Sequence, residues 1–263
     1  MDDRMINKIM EEVMKKVEGA EASVSSGLAS NDRSGCGMTE FVGTGVGDTL
    51  GLVIANLDPS VHKAMGIEEK YRSIGIIGGR VGAGPQIMAA DEAVKATNTE
   101  IIRIELPRDT KGGAGHGNLI IFGAEDVSDA RRAVEVTLKE LERTFGDVYA
   151  NEAGHIELQY TARASHACAK AFNAPLGKAF GLVVGAPAAI GIITADTVVK
   201  AANVDVLSVA TPAKGTSLTN EVIIFFSGDS GAVRQALIAA RDVGVGLLGT
   251  LGSRPKNDFP SYI

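Results

Sequence analysis

Ala90-Asp91-Glu92-Ala93-Val94-Lys95-Ala96-Thr97-Asn98-Thr99-Glu100 returns later in the chain as Ala195-Asp196-Thr197-Val198-Val199-Lys200-Ala201-Ala202-Asn203-Val204-Asp205. Ala, Asp, Val, Lys, Ala and Asn recur at matching places, and Asp replaces Glu at the end. Self-similarity on this scale outranks any single motif, because it sets the architecture. It extends outward in both directions. Upstream, Ile74-Gly75-Ile76-Ile77 is mirrored by Phe180-Gly181-Leu182-Val183; downstream, Leu119-Ile120-Ile121-Phe122 is mirrored by Val222-Ile223-Ile224-Phe225. Beyond these, Asp126, Arg131 and Ala133 correspond to Asp229, Arg234 and Ala236. Chance similarity of one helix would not reproduce four segments in one order, so the chain reads as two copies of one domain.

Each copy reads as strand, helix, strand, loop, strand, helix. The first helix carries Ile87, Ala90, Ala93, Val94 and Thr97 at helical spacing behind a Gly-rich turn. In the last helix Ala130, Ala133, Val134, Leu138, Leu141 and Phe145 form the apolar stripe, with Asp126 or Ser128 as N-cap. Its counterpart places Asp229 or Ser230 before Ala232, Val233, Ala236, Leu237 and Ala240. The alternation predicts an α/β fold (an α+β sandwich) with helices packed on a sheet. Domains are expected at residues 39–148 and 149–263.

Ahead of the repeats lie two segments of different character. Met5, Ile6, Ile9, Met10, Val13, Met14 and Val17 share one side of an amphipathic helix over residues 1–18, with Asp2 and Asp3 before it and Lys15 and Lys16 at its end. Residues 19–38 are small and polar and read as a flexible linker.

Composition narrows the function classes. A length of 263 residues suffices for two cores, and 45% hydrophobic with 22% charged residues excludes disorder for most of the chain. The net charge of -6 without a Lys/Arg run leaves no basic face for nucleic acid. Met1-Asp2-Asp3-Arg4 places acids where a secretory leader carries bases, so the cytosol is the expected location. The longest uncharged stretch, Ala179 to Ala195, is too short and too Gly-rich for a membrane span. Cys36 and Cys168 are too few for a disulfide framework.

The glycines invite a nucleotide-binding reading, but Gly43-Thr44-Gly45-Val46-Gly47 lacks the last glycine of GxGxxG, and Lys214-Gly215-Thr216 holds P-loop elements in the wrong order. Tight turns and close backbone approach explain them as well. His62, His116, His155 and His166 fall into no metal-ligand spacing, and His155-Ile156-Glu157 lacks the PCxxC half of a deaminase signature. No GxSxG elbow is present. Cys36 is either an unligated linker thiol or, on a threefold axis, one of three cluster ligands. The two loops between paired strands, residues 107–118 and 211–220, are small and rich in hydrogen-bonding groups; a solvated hairpin is the plain reading of each.

The repeated Ala-Asp-x-x-Val-Lys-Ala segment, the Lys-Gly loop, the apolar strand and Gly228-Asp229-Ser230-Gly231-Ala232-Val233 together resemble the bacterial microcompartment domain. Asn151-Glu152-Ala153-Gly154-His155-Ile156-Glu157, Gly47-Asp48-Thr49-Leu50-Gly51-Leu52-Val53-Ile54-Ala55-Asn56 and Pro255-Lys256-Asn257-Asp258 resemble the tandem-domain shell proteins of propanediol-utilisation compartments. The resemblance spans residues 39–263.

It implies a non-enzymatic structural protein without cofactor or metal, trimeric and pseudohexameric, tiling beside other shell proteins around encapsulated enzymes. It also implies circularly permuted domains, matching an extra segment before each repeat, near residues 40–44 and 157–161. Small polar metabolites such as diols would cross narrow pores. The polar candidates there are Asp48, Lys111, Gly112, Gly113, His116, Asn151, Glu152, His155, Lys214 and Ser217. The helix face of Met5, Ile9, Met10, Val13 and Val17 would bind enzyme cargo, since its balanced charges and lack of aromatics disfavour a membrane. The alternative is a small-molecule-binding gating module in an ethanol or ethanolamine compartment.

Overall fold

Two apolar runs, Ser73–Gly79 (β3) and Ala179–Ala186 (β8), become the middle strands of two five-stranded sheets. A computed structural model describes residues 38–107, 117–215 and 219–263 of the chain. The first repeat runs β1 (Phe41–Gly45), β2 (Thr49–Ile54), α1 (Pro59–Met65), β3, α2 (Gly84–Ala96), β4 (Glu100–Glu105), β5 (Asn118–Ala124) and α3 (Val127–Thr144). The second runs β6 (Val148–Asn151), β7 (Gly154–Thr161), α4 (His166–Phe172), β8, α5 (Ala188–Ala201), β9 (Val204–Ala210), β10 (Val222–Gly228) and α6 (Ser230–Leu248). Sheet orders are β1-β2-β3-β5-β4 and β6-β7-β8-β10-β9, antiparallel at every described pairing.

The expected strand and helix order is present in each repeat, with additions that periodicity did not reveal. The extra segments before the repeats are hairpins, β1–β2 and β6–β7, that extend each sheet. A short helix follows each hairpin. At seven residues, α1 and α4 are too brief for a helical period to stand out.

The core of the first repeat joins Ile77, Ile87, Ala90, Ala93, Ile120, Phe122, Ala133 and Val134; the second joins Ile156, Leu158, Val183, Ile224, Phe226, Val233 and Leu237. Here one sequence match needs correction. Counting back from the last helices pairs Phe122 with Phe225, but Gly75 lies opposite Phe122 and its counterpart Gly181 lies opposite Phe226. Phe226 is therefore the equivalent residue. The helix match itself stands, since Ala130, Ala133 and Val134 are buried like Val233, Ala236 and Leu237. The discrepancy sits in the turn, where Glu125 and Asp126 separate β5 from α3 but Asp229 alone separates β10 from α6. A one-residue slip moves a strand residue to the other face. Phe225 accordingly leaves the helix-covered core and stacks on Phe172, with ring centroids 5.3 Å apart.

Glycines Gly185 and Gly191 mark the closest approach of β8 to α5. A Cβ on Gly185 would meet the Gly191 backbone nitrogen at 2.5 Å. Neither backbone can yield as a flexible side chain would, so Gly185→Ala should lower stability by about 2 kcal/mol. Urea unfolding of the variant beside the parent measures it; an unchanged midpoint would show that the contact relaxes freely.

Candidate functional site

Helix α2 is buried on two sides. One faces its own sheet, and the other presents Gly84, Met88, Asp91 and Lys95, at helical spacing, to the second repeat. Met88 joins Ala164, Cys168, Phe180 and Leu182, with its Sδ 3.6 Å from Cys168 Sγ. The fully buried Asp91 carboxylate accepts from Ser165 N at 3.0 Å and from Cys168 N at 3.0 Å, and Lys95 Nζ pairs with it at 3.0 Å. Ser165 stands at the N-cap of α4 but makes no side-chain capping bond. The first repeat thus caps a helix of the second. Lys95 also donates to Thr161 Oγ1 at 3.2 Å, and a side chain on Gly84 would run into Glu157 Oε1.

The repeat locates the same four positions on α5: Ala189, Ile193, Asp196 and Lys200. All four are exposed. Asp196 and Lys200 pair with each other, at 2.6 Å, on the surface. The receiving side has its own counterpart. Because Ile54 lies opposite Ile74 and Thr161 opposite Phe180, the residues Glu157, Gln159, Thr161, Ser165 and Cys168 correspond to Leu50, Leu52, Ile54, Asp58 and Val61. Leu50 and Val61 are 40% and 37% exposed. Asp58 caps its own helix, accepting from Ser60 N at 2.8 Å. The faces joined within the chain therefore recur, open, at its two flanks.

The polar candidates among the described residues gather at one end of each sheet. By the same correspondence Asp48 and His155 are equivalent, Asp48 in the turn of the first hairpin and His155 on β7 directly after the turn of the second. Asp48 takes φ 49°, beside Gly47 at φ 74°. His155 Nε2 lies 3.9 Å from Glu221 Oε2, and burial pushes its pKa below 6.5 although Glu221 pulls the other way. Glu157, two residues along the same face, is fully desolvated and its pKa rises to about 7 despite a 3.2 Å bond from Gln159 Nε2.

Lys214 sits in the tight turn after β9, where its backbone bonds Thr211 in both directions. Asn151 donates to Leu248 O and Ser253 O, and Glu152 accepts from Ser253 N and Oγ at 2.9 Å, so both bind the segment after α6. Lys111, Gly112, Gly113, His116 and Ser217 lie outside the described residues, as do the helix face of Met5, Ile9, Met10, Val13 and Val17, residues 19–37 of the linker and with them Cys36.

Among the described residues no group of three His, Cys, Asp or Glu side chains is placed to hold a metal, and no helix is long and apolar enough to cross a membrane. Cys168 is a buried thiol, its pKa driven up by desolvation and by Asp91, which fits packing. What sequence reasoning missed is the seam itself. Its signal was present in the repeated Asp and Lys, but not the difference in their surroundings.

The BMC domain pattern matches residues 73–153 and 179–252. The chain is 61% identical over 268 aligned residues to the bacterial microcompartment shell protein PduB of Citrobacter freundii, covering 99% of each. A PduB of Limosilactobacillus reuteri is 52% identical, with 85% of this chain and 94% of that protein covered. Among solved structures, a trimeric microcompartment shell protein PduB superposes with a TM-score of 0.83 at 52% identity, covering 86% of this chain and all of the other. EtuB from Clostridium kluyveri gives 0.83 at 56% identity, covering 86% and 99%.

Two sheets of one topology, joined through a repeated helix face, define a tandem-domain protein. The chain belongs to the BMC domain family, as a PduB-type microcompartment shell protein of propanediol utilisation. Its role is structural and non-enzymatic.

Proposed function

We propose that three copies of the chain close into a pseudohexameric shell tile whose polar loops pass small hydrated metabolites such as diols. One observation carries this reading: the α2 face that docks on the second repeat recurs exposed on α5, and its receiving surface recurs exposed on β2 and α1. Each copy therefore offers one donor face and one acceptor face. Such a head-to-tail contact generates a ring when its rotation closes, and two repeats per chain make six domains from three chains. The trimeric PduB structure, at 52% identity, supports the same count.

The equivalence of Asp48 and His155 supports a ring of alternating acid and imidazole on the tile, beside the loops that carry Lys111, His116, Lys214 and Ser217. Hydrogen-bonding groups lining a narrow pore favour hydrated diols over apolar solutes. The hairpins β1–β2 and β6–β7, which precede β3 and β8 in the chain, support the permuted order. Residues 1–18 would tether enzyme cargo inside the cytoplasmic compartment, by docking the Met5, Ile9 and Val13 face in a groove of the enzyme.

Sedimentation equilibrium at micromolar concentration should give the mass of three chains, and electron micrographs should show flat arrays of threefold or pseudo-sixfold tiles. A monodisperse monomer would overturn the reading.

A further inference from the structure

The six seams of that ring are not chemically alike. Resting on the trimer reading above, we propose that they alternate, with a polar, cross-capped seam inside each chain and an apolar, self-capped seam between chains. The subunit seam is formed by Ala189, Ile192 and Ile193 of one copy against Leu50, Leu52 and Val61 of the next.

Position by position, the two seams can be compared. Inside the chain, Gly84 meets Glu157, and Gln159 and Thr161 continue the same buried row. Between chains the matching row is Leu50, Leu52 and Ile54, and Ala189 replaces Gly84. A glycine is required where the carboxylate of Glu157 crowds the helix; against Leu50 a methyl group can be packed. Met88 against Cys168 becomes Ile193 against Val61, an aliphatic pair of side chains now 47% and 37% exposed.

The caps differ in the same direction. Asp91 serves α4 because Ser165 does not cap its own helix. Asp58 caps α1 itself, so no outside carboxylate is needed there, and Asp196 remains with Lys200 at 2.6 Å. Each carboxylate at this joint already holds a partner in its own chain, Asp58 the Ser60 N–H and Asp196 the Lys200 ammonium, and exposed Ile192 and Ile193 supply the apolar area. A second copy of this chain is the occupant, because the internal seam already shows one BMC domain seated on another through these positions.

The test uses the full chain with Cys36→Ser, adding Val61→Cys and Ile193→Cys, treated with a short bis-maleimide. Covalent dimers and closed trimers should form with the double variant and with neither single variant. Ile193→Asp, at an exposed site that the monomer does not need, should raise the dissociation constant of the trimer at least tenfold, while Glu157→Gln leaves it unchanged. A sedimenting trimer without crosslinks, or one indifferent to Ile193→Asp, overturns the apolar seam and leaves the trimer reading intact. A parent chain that is monomeric overturns both. Crosslinks that appear only when a different shell protein is added assign the face to that partner and overturn the proposal.

Discussion

Replacing Asp91 by alanine should lower the unfolding free energy by about 3 kcal/mol, while the same change at Asp196, in the same sequence motif, should move it by less than about 0.5 kcal/mol. Asp91 is fully buried and accepts from Ser165 N and Cys168 N; its removal leaves both donors without their acceptor, while the part-exposed Lys95 keeps Glu92 at 2.9 Å and Thr161 at 3.2 Å. In the single chain Asp196 faces water, where its pair with Lys200 is screened, and in the subunit seam it keeps that pair. Urea unfolding of both variants at one protein concentration makes the comparison. Equal losses at the two sites would show that the cross-repeat cap contributes nothing of its own.

A second large effect is expected from pH. Glu157 titrates near 7 in the fold, because burial disfavours its charge and Glu221 repels it, against 4.5 in an exposed glutamate. Between those values the native state keeps a proton that the unfolded chain has released. Stability therefore falls as pH rises through this window, by on the order of 3 kcal/mol in total. His155 has the opposite slope. Its folded pKa lies below 6.5, so as pH falls through 6.5 the unfolded chain is protonated first and stability drops toward acid. The two are separated by difference: Glu157→Gln should be more stable than the parent at pH 8 and should lose the decline between 4.5 and 7. If the two pH profiles run parallel, Glu157 is not the group responsible.

Much of this architecture was legible because duplication leaves a record that local propensity does not. The Asp91 and Asp196 helices, the apolar strands and the last helices announced two α/β domains. The slip between Phe225 and Phe226 was hidden, since a turn one residue shorter leaves no mark when strand and helix are both rich in apolar residues. The seam was hidden for a different reason. Asp91-x-x-x-Lys95 and Asp196-x-x-x-Lys200 are nearly the same string, and their opposite burial comes from β7 and α4, far away in sequence. Asp48 and His155 share position but not chemistry, so no string comparison would pair them.

The borrowed cap also makes the duplication hard to reverse. A ring of six first repeats would set every Asp91 against a helix that Asp58 already caps, so that Asp91 would lose the two backbone donors it now holds at Ser165 and Cys168. A ring of six second repeats would carry the Glu157 carboxyl in all six joints instead of three, and would meet alkaline conditions with twice the repulsion. Each half has come to depend on the other's difference, so the fused gene acts as a one-way step: the descendants of a once interchangeable unit can no longer stand in for each other.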